Sequence, residues 1–117
     1  MNFGMNITAN IKMVFSYRPL PDCLTIQPSD IDGLGLFAVK DIGCGTNLGV
    51  SHIKYSTDNL GLVRTPVGGF INHSERPNCV LVQKISKCAD TEIYDLVAAV
   101  DIQPGEELTT KYSIKGT

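Results

Sequence analysis

Apolar residues along this chain come in short runs, and every few positions Gly, Pro, Asn, Asp or Ser interrupts them. Nowhere does an apolar period of 3.6 residues persist, so the pattern predicts strands rather than helices. Residues 12–17 and 23–27 read as strands, and 36–39 leave the Asp32-Gly33-Leu34-Gly35 turn as another. Gly43-Cys44-Gly45 makes a second turn, with a strand over 47–53 behind it. The clearest hairpin pairs 80–85 with 93–100 across the polar connection 86–92. Gln103-Pro104-Gly105-Glu106 is a strong turn, and 107–112 reads as a last strand. One helical turn is expected over 55–62. Neither repeats nor low-complexity segments stand out. Many short strands at close spacing in a small chain imply a mostly-β fold, a barrel or a roll of small sheets.

A chain of 117 residues fits one domain with one core. We expect residues 1–11 to be a flexible leader, since nothing in them demands burial, and 12–117 to form a single domain. With 43% hydrophobic and 19% charged residues the composition excludes disorder over most of the length. The formal net charge is −2 and the ten Lys and Arg are scattered, which argues against nucleic acid as the main partner. No window approaches the roughly 18 to 20 apolar residues of a membrane span. The polar start, broken again at Lys12, does not read as a signal peptide. An intracellular protein is therefore expected, in the cytoplasm of a microbe or of a virus-infected cell. Cys23, Cys44, Cys79 and Cys88 show no zinc-knuckle spacing, and only two histidines accompany them. Free, reduced thiols and no metal are the expectation.

Three segments carry candidate chemistry. In Ser29-Asp30-Ile31-Asp32-Gly33-Leu34-Gly35-Leu36-Phe37-Ala38 the Gly-x-Gly lets the backbone turn tightly and lets a ligand approach main-chain groups. No third glycine and no following helix make it a dinucleotide fingerprint, and on its own it is a plain β-turn. In Gly68-Gly69-Phe70-Ile71-Asn72-His73-Ser74-Glu75-Arg76-Pro77-Asn78-Cys79, Asn72 and His73 bring several hydrogen-bonding groups to the end of an apolar run. If they point inward, either the protein or a ligand must pair them. The third segment, Asp101-Ile102-Gln103-Pro104-Gly105-Glu106-Glu107-Leu108-Thr109-Thr110-Lys111-Tyr112, reads by itself as core and edge.

Taken in order, a Gly-x-Gly hairpin, then Asn-His-Ser-x-x-Pro-Asn, then Pro-Gly-Glu-Glu-Leu-Thr-x-x-Tyr resembles the SET-domain protein-lysine methyltransferases. The likeness runs from about residue 23 to Tyr112 and is nearest to the minimal SET proteins of viruses, phages and bacteria. It implies a SET-type β-clip of several small sheets with a C-terminal pseudoknot. The last segment would pass beneath the Asn-His loop and bring Tyr112 beside Asn72 and His73. A narrow channel would join a methyl-donor pocket on one side to a peptide site on the other.

The resemblance also implies roles. S-adenosyl-L-methionine would be the cofactor, its methionine end held by the backbone of Leu34, Gly35 and Leu36. Asn72 would meet the donor's amino group, the His73 backbone its adenine, and Tyr112 would be the catalytic residue at the channel's end. Tyr55 is a candidate for the channel wall. Tyr17 and Tyr94 read as core or surface, His52 as structural, and Arg64 as facing either the donor pocket or solvent.

Two departures stand out. Many family members carry a zinc-binding cysteine cluster after the tyrosine, whereas residues 113–117 contain no cysteine. The adenine lid is then expected from elsewhere, and the homodimers of small viral relatives suggest a second copy. Lys111 stands where acidic or small residues are common, and its charge disfavours a cationic lysine substrate. The implied activity is methyl transfer to the ε-amine of a lysine in a protein or peptide. The alternatives are a non-catalytic module that binds the donor or a peptide, and a structural protein that retains only the fold.

Overall fold

The structure is a computed structural model that describes residues 19–55, 61–86 and 90–112. The expected leader over 1–11, the strand over 12–17 with Tyr17, and Cys88 lie outside the described residues. The elements are β1 Leu24–Pro28, β2 Leu34–Ala38, β3 Asn47–Tyr55, β4 Leu62–Arg64, α1 Pro66–Phe70, β5 Asn72–His73, β6 Cys79–Lys84, β7 Thr91–Ala98 and β8 Glu107–Thr110. They pair along one continuous path, β1-β2-β8-β6-β7-β3-β4, with β5 beside β8. The mostly-β expectation holds, and the hairpin of β6 and β7 is antiparallel from Cys79↔Ala98 to Lys84↔Ile93.

The helical turn expected over 55–62 falls mostly outside the described residues. Tyr55 closes β3 and Leu62 opens β4, while 56–60 lie outside the described residues. A helix that the pattern did not announce forms at α1, where Pro66 suits a first turn. Thr65 caps it, its Oγ1 accepting from the Gly68 amide at 3.3 Å. Two glycines, poor helix formers, mask this element from the sequence pattern. Gly68 is there because a Cβ would fall 2.0 Å from the Ser51 carbonyl oxygen. The helix therefore lies directly on β3.

The architecture has an internal symmetry that the sequence pattern hides. Leu36, Ala38, Asp41, Ile42, Gly45 and Leu48 recur sixty positions on as Leu96, Ala98, Asp101, Ile102, Gly105 and Leu108. Ala98 donates to Thr46 O and accepts from Gly45 N, while Ala38 donates to Glu106 O and accepts from Gly105 N. Ile42 and Ile102 exchange backbone hydrogen bonds at 2.8 Å in both directions. Gly45 and Gly105 have φ of +89° and +90°, a region in which a Cβ is strained. Each turn thus clasps the alanine of the other half. The third strands are exchanged as well, with β3 pairing β7 and β8 pairing β2.

Burial follows the same symmetry. Leu36, Leu96, Ile42, Ile102, Leu48, Leu108, Ala38 and Ala98 are all core residues. Each fully buried Leu or Ile contributes about 1.5–3 kcal/mol relative to exposure, so this shared layer dominates stability. It also fixes β8. That strand lies antiparallel to β2 and parallel to β5, with Asn72↔Thr109 and His73↔Thr110 in register. The last strand thereby runs between the first hairpin and the Asn72-His73 segment. Among the described residues no helix is long and apolar enough to cross a membrane.

Candidate active site

Beyond Thr110 the chain stays close to β5. The Tyr112 amide donates to His73 Nδ1 at 3.1 Å and its hydroxyl donates to the Ile71 carbonyl at 2.6 Å. The two rings lie 5.4 Å apart at 43°. Because Nδ1 accepts, the neutral ring carries its proton on Nε2, which reaches Glu75 Oε2 at 2.7 Å. The His73 contact, then Lys111, hold the Glu75 carboxyl below its ordinary value. Lys111 Nζ lies 3.3 Å from Glu75 Oε1, so the charge expected to repel a cationic substrate has an anionic partner. That pair is exposed and weak.

Asn72 faces the other way, toward the first hairpin. Its Nδ2 donates to Glu107 Oε2 at 2.8 Å, Ser29 Oγ at 3.0 Å and the Asp32 carbonyl at 3.1 Å, with the Leu34 carbonyl at 3.5 Å. The Ser29 hydroxyl lies 2.8 Å from both Glu107 oxygens. Gly35 makes this cluster possible, since a Cβ there would sit 2.2 Å from Glu107 Oε2 and 3.2 Å from Asn72 Nδ2. Asn78 holds β8 from the other side. Its Oδ1 accepts from the Thr109 amide and its Nδ2 donates to the Glu107 carbonyl, both at 2.8 Å. Side chain thus substitutes for strand.

Of the residues singled out in the sequence, Leu34, Gly35, Asn72, His73 and Tyr112 fall in one continuous region. Leu36 joins through its backbone, paired with Leu108, while its side chain is core. Tyr55 does not join them. It ends β3 opposite Thr91, and no hydrogen bond or ring contact links it to Tyr112. Arg64 lies exposed on β4 opposite His52. Sequence reasoning missed Ser29 and Glu107 as site residues, although Glu107 stands within the Pro-Gly-Glu-Glu-Leu-Thr motif.

A cavity of about 290 Å³ opens beside Tyr112, walled by Pro77, Cys79, Val80 and Leu81 together with 110–112. A second, of about 430 Å³, lies apart between 19–21, 48–50 and 65–67. Neither contains both Tyr112 and Asn72, so neither is the expected channel joining the two sides. Burial pushes the Cys79 thiol up to about 12, which leaves it inert at neutral pH although it lines the first cavity. Tyr94 is likewise pushed to about 12, by its hydrogen bond to Glu92 and then by burial. His52 is fully buried, with Nδ1 2.8 Å from Ser51 Oγ and no partner for Nε2 among the described residues. Burial, then the charge of Arg64, lowers its pKa.

Fold and site together define a β-clip protein whose C-terminal strand brings a tyrosine to an Asn-His segment. The sequence pattern of the SET domain matches residues 47–113, more than half of the chain, and the chain belongs to the SET-domain family. Its structure is similar to that of a Plasmodium falciparum protein described as a histone methyltransferase. The TM-score is 0.62 at 20% identity, over 82% of this chain and 97% of that one. It is also similar to the methyltransferase domain of human PR domain-containing protein 2. There the TM-score is 0.58 at 22% identity, over 84% of this chain and 82% of that one. At these identities the likeness establishes the fold. No curated protein sequence matches the chain.

Proposed function

We propose that this protein transfers a methyl group from S-adenosyl-L-methionine to the ε-amine of a lysine in a protein substrate. In this reading it is a minimal SET enzyme of the viral, phage or bacterial kind. The observation that carries the proposal is Tyr112, distant in sequence from the Asn-His motif yet bonded to both Ile71 and His73. With its proton directed at the Ile71 carbonyl, the phenol oxygen keeps lone pairs free to accept an N–H from an incoming amine.

The residues present suit the donor. Oxygen acceptors converge at Asn72, and the missing Cβ of Gly35 lets the Glu107 carboxylate stand among them. The backbone of Leu34, Gly35 and Leu36 and the Asn72 amide would hold the amino-acid end, and the His73 backbone the adenine. When bound, the donor supplies a methyl on a sulfonium sulfur, which departs as a thioether while the amine nitrogen forms the new bond. The protein's own task is the amine. A free lysine has a pKa near 10.4, so only about one in a few thousand is neutral at pH 7. The apolar surface of Pro77, Val80 and Leu81 beside Tyr112 disfavours the ammonium and lowers that pKa. A phenol with an ordinary pKa of about 10 is a poor base at neutral pH, so Tyr112 acts by orienting the amine. A second copy of the chain is the proposed lid over the adenine.

The test is transfer of labelled methyl to a panel of basic proteins, histones included. Tyr112→Phe should lower the rate by about 100-fold or more while the fold persists. Parental activity in that variant overturns the placement of the site. A second reading, a donor- or peptide-binding module without turnover, draws support from the Asn72 amide, whose hydrogens are already taken by protein oxygens. Calorimetric binding of the donor with no transfer to any lysine would select it.

A further inference from the structure

The Glu107 carboxylate is half-buried, and among the described residues it accepts hydrogen bonds from neutral donors, the Ser29 hydroxyl and the Asn72 amide. Among the described residues no ion pair joins a Lys or Arg to it, whereas Glu75 and Asp95 each have a lysine partner. A carboxylate withdrawn from water without a cation is unfavourable, and such a group is usually compensated by a protein cation or by a ligand.

The symmetry of the molecule sharpens this point. Asn47 occupies the position in the first half that Glu107 occupies in the second, because Asn47↔Val97 corresponds to Phe37↔Glu107. There the carboxylate sits on the opposite strand. Asp95 accepts from Asn47 Nδ2 at 2.9 Å and has its cation, Lys84, at 3.5 Å. Among the described residues the second half has a carboxylate and an amide but no paired cation.

The surroundings specify which cation fits. Four oxygens face Asn72 Nδ2, one of them charged, although an amide nitrogen has only two hydrogens to offer. A primary ammonium has three hydrogens and a full charge, and matches that set better. Turning the Asn72 amide over would present Oδ1 as a further acceptor and free the oxygens its nitrogen now occupies.

We infer that Glu107 is the counter-charge for a ligand's primary ammonium group, held jointly with the Asp32 and Leu34 carbonyls and Asn72. This rests on the proposed donor site and adds its charged contact, so Glu107 selects ligands that carry an α-amino group.

The experiment is isothermal calorimetry on the full chain with two probes. One is S-adenosylhomocysteine and the other its desamino analogue, which keeps the carboxylate, thioether and adenosine. Glu107→Gln preserves the size of the side chain and an acceptor for Ser29, and thermal unfolding reports whether it folds. In the parent, S-adenosylhomocysteine should bind more tightly than the desamino analogue. Glu107→Gln should weaken the first by about 10- to 100-fold, the scale of a charge-assisted contact. It should change the second less than about twofold. Equal losses for both probes, or no loss for either, would overturn the role of Glu107 while leaving the donor site intact. A parent chain that binds neither probe would overturn the donor site itself, and the inference with it. If the glutamine variant unfolds, Glu107→Asp decides by the same two-probe comparison.

Discussion

Phe37 faces Glu107 across β2 and β8, and Val97 faces Asn47 across β7 and β3, so positions 47 and 107 are placed alike. What each meets on the facing strand differs. Asn47 meets the carboxylate of Asp95, which Lys84 also approaches, and the contact is closed and neutralised. Glu107 meets Gly35, where no side chain exists, and its carboxylate fills the gap and turns toward Ser29 and Asn72. One scaffold therefore yields a structural contact in one half and an open polar corner in the other. The difference lies in which facing position keeps its side chain.

If the two halves carry the core equally, Leu36→Ala and Leu96→Ala should each lower unfolding stability by about 2–5 kcal/mol. Denaturant titrations should place the two within about 1 kcal/mol of one another, and a larger gap would break the symmetry. Filling the gap is the next largest effect. Gly35→Ala puts a Cβ where Glu107 Oε2 lies, and methyl transfer should fall by about 100-fold, as for a site displaced by an ångström. Closing the other corner should do something different. Asp95→Ala leaves the part-buried Asn47 contact unmade and should cost about 1 kcal/mol of stability, with turnover of the folded enzyme unchanged.

The smallest effect at neutral pH concerns His52, buried on β3 with no counterpart in the shorter β8. Its folded pKa lies below the unfolded value, so the unfolded chain takes up the proton first as pH falls. The stability contribution is full above about pH 6.5 and is lost progressively as pH drops from there toward the folded value. In His52→Gln the stability difference between about pH 7.5 and pH 5.5 should shrink, as followed by thermal melts. An unchanged pH slope would mean that another group carries it.

Much of this was legible in the order of residues. Strands β1, β2, β3, β6, β7 and β8 fall within about two residues of the alternating runs, and the turns at Gly45 and Gly105 coincide with their Gly signals. β4, β5 and α1 were not, because elements of two to five residues hold too little period to read, and α1 contains two glycines. The sixty-residue symmetry escaped notice because its shared residues are spread among dissimilar neighbours and only their mutual packing reveals them. Asn72, His73 and Tyr112 came from the family resemblance, and the structure brings all three to one region. Ser29 and Glu107 meet across 78 positions of chain, with no local pattern to announce them.

Alternation of apolar and polar residues, and glycine at two positive-φ turns, are local properties, so the chain's own order already settled where strands begin and end. Which strand lies beside which was settled only in three dimensions, by burying both leucine layers at once. That packing carries β8 between β2 and β5, sets the Glu107 carboxylate against Asn72, and lays a phenol on the Ile71 carbonyl. Long-range contacts of this kind depend on the joint burial of distant segments, a quantity no single stretch of sequence contains.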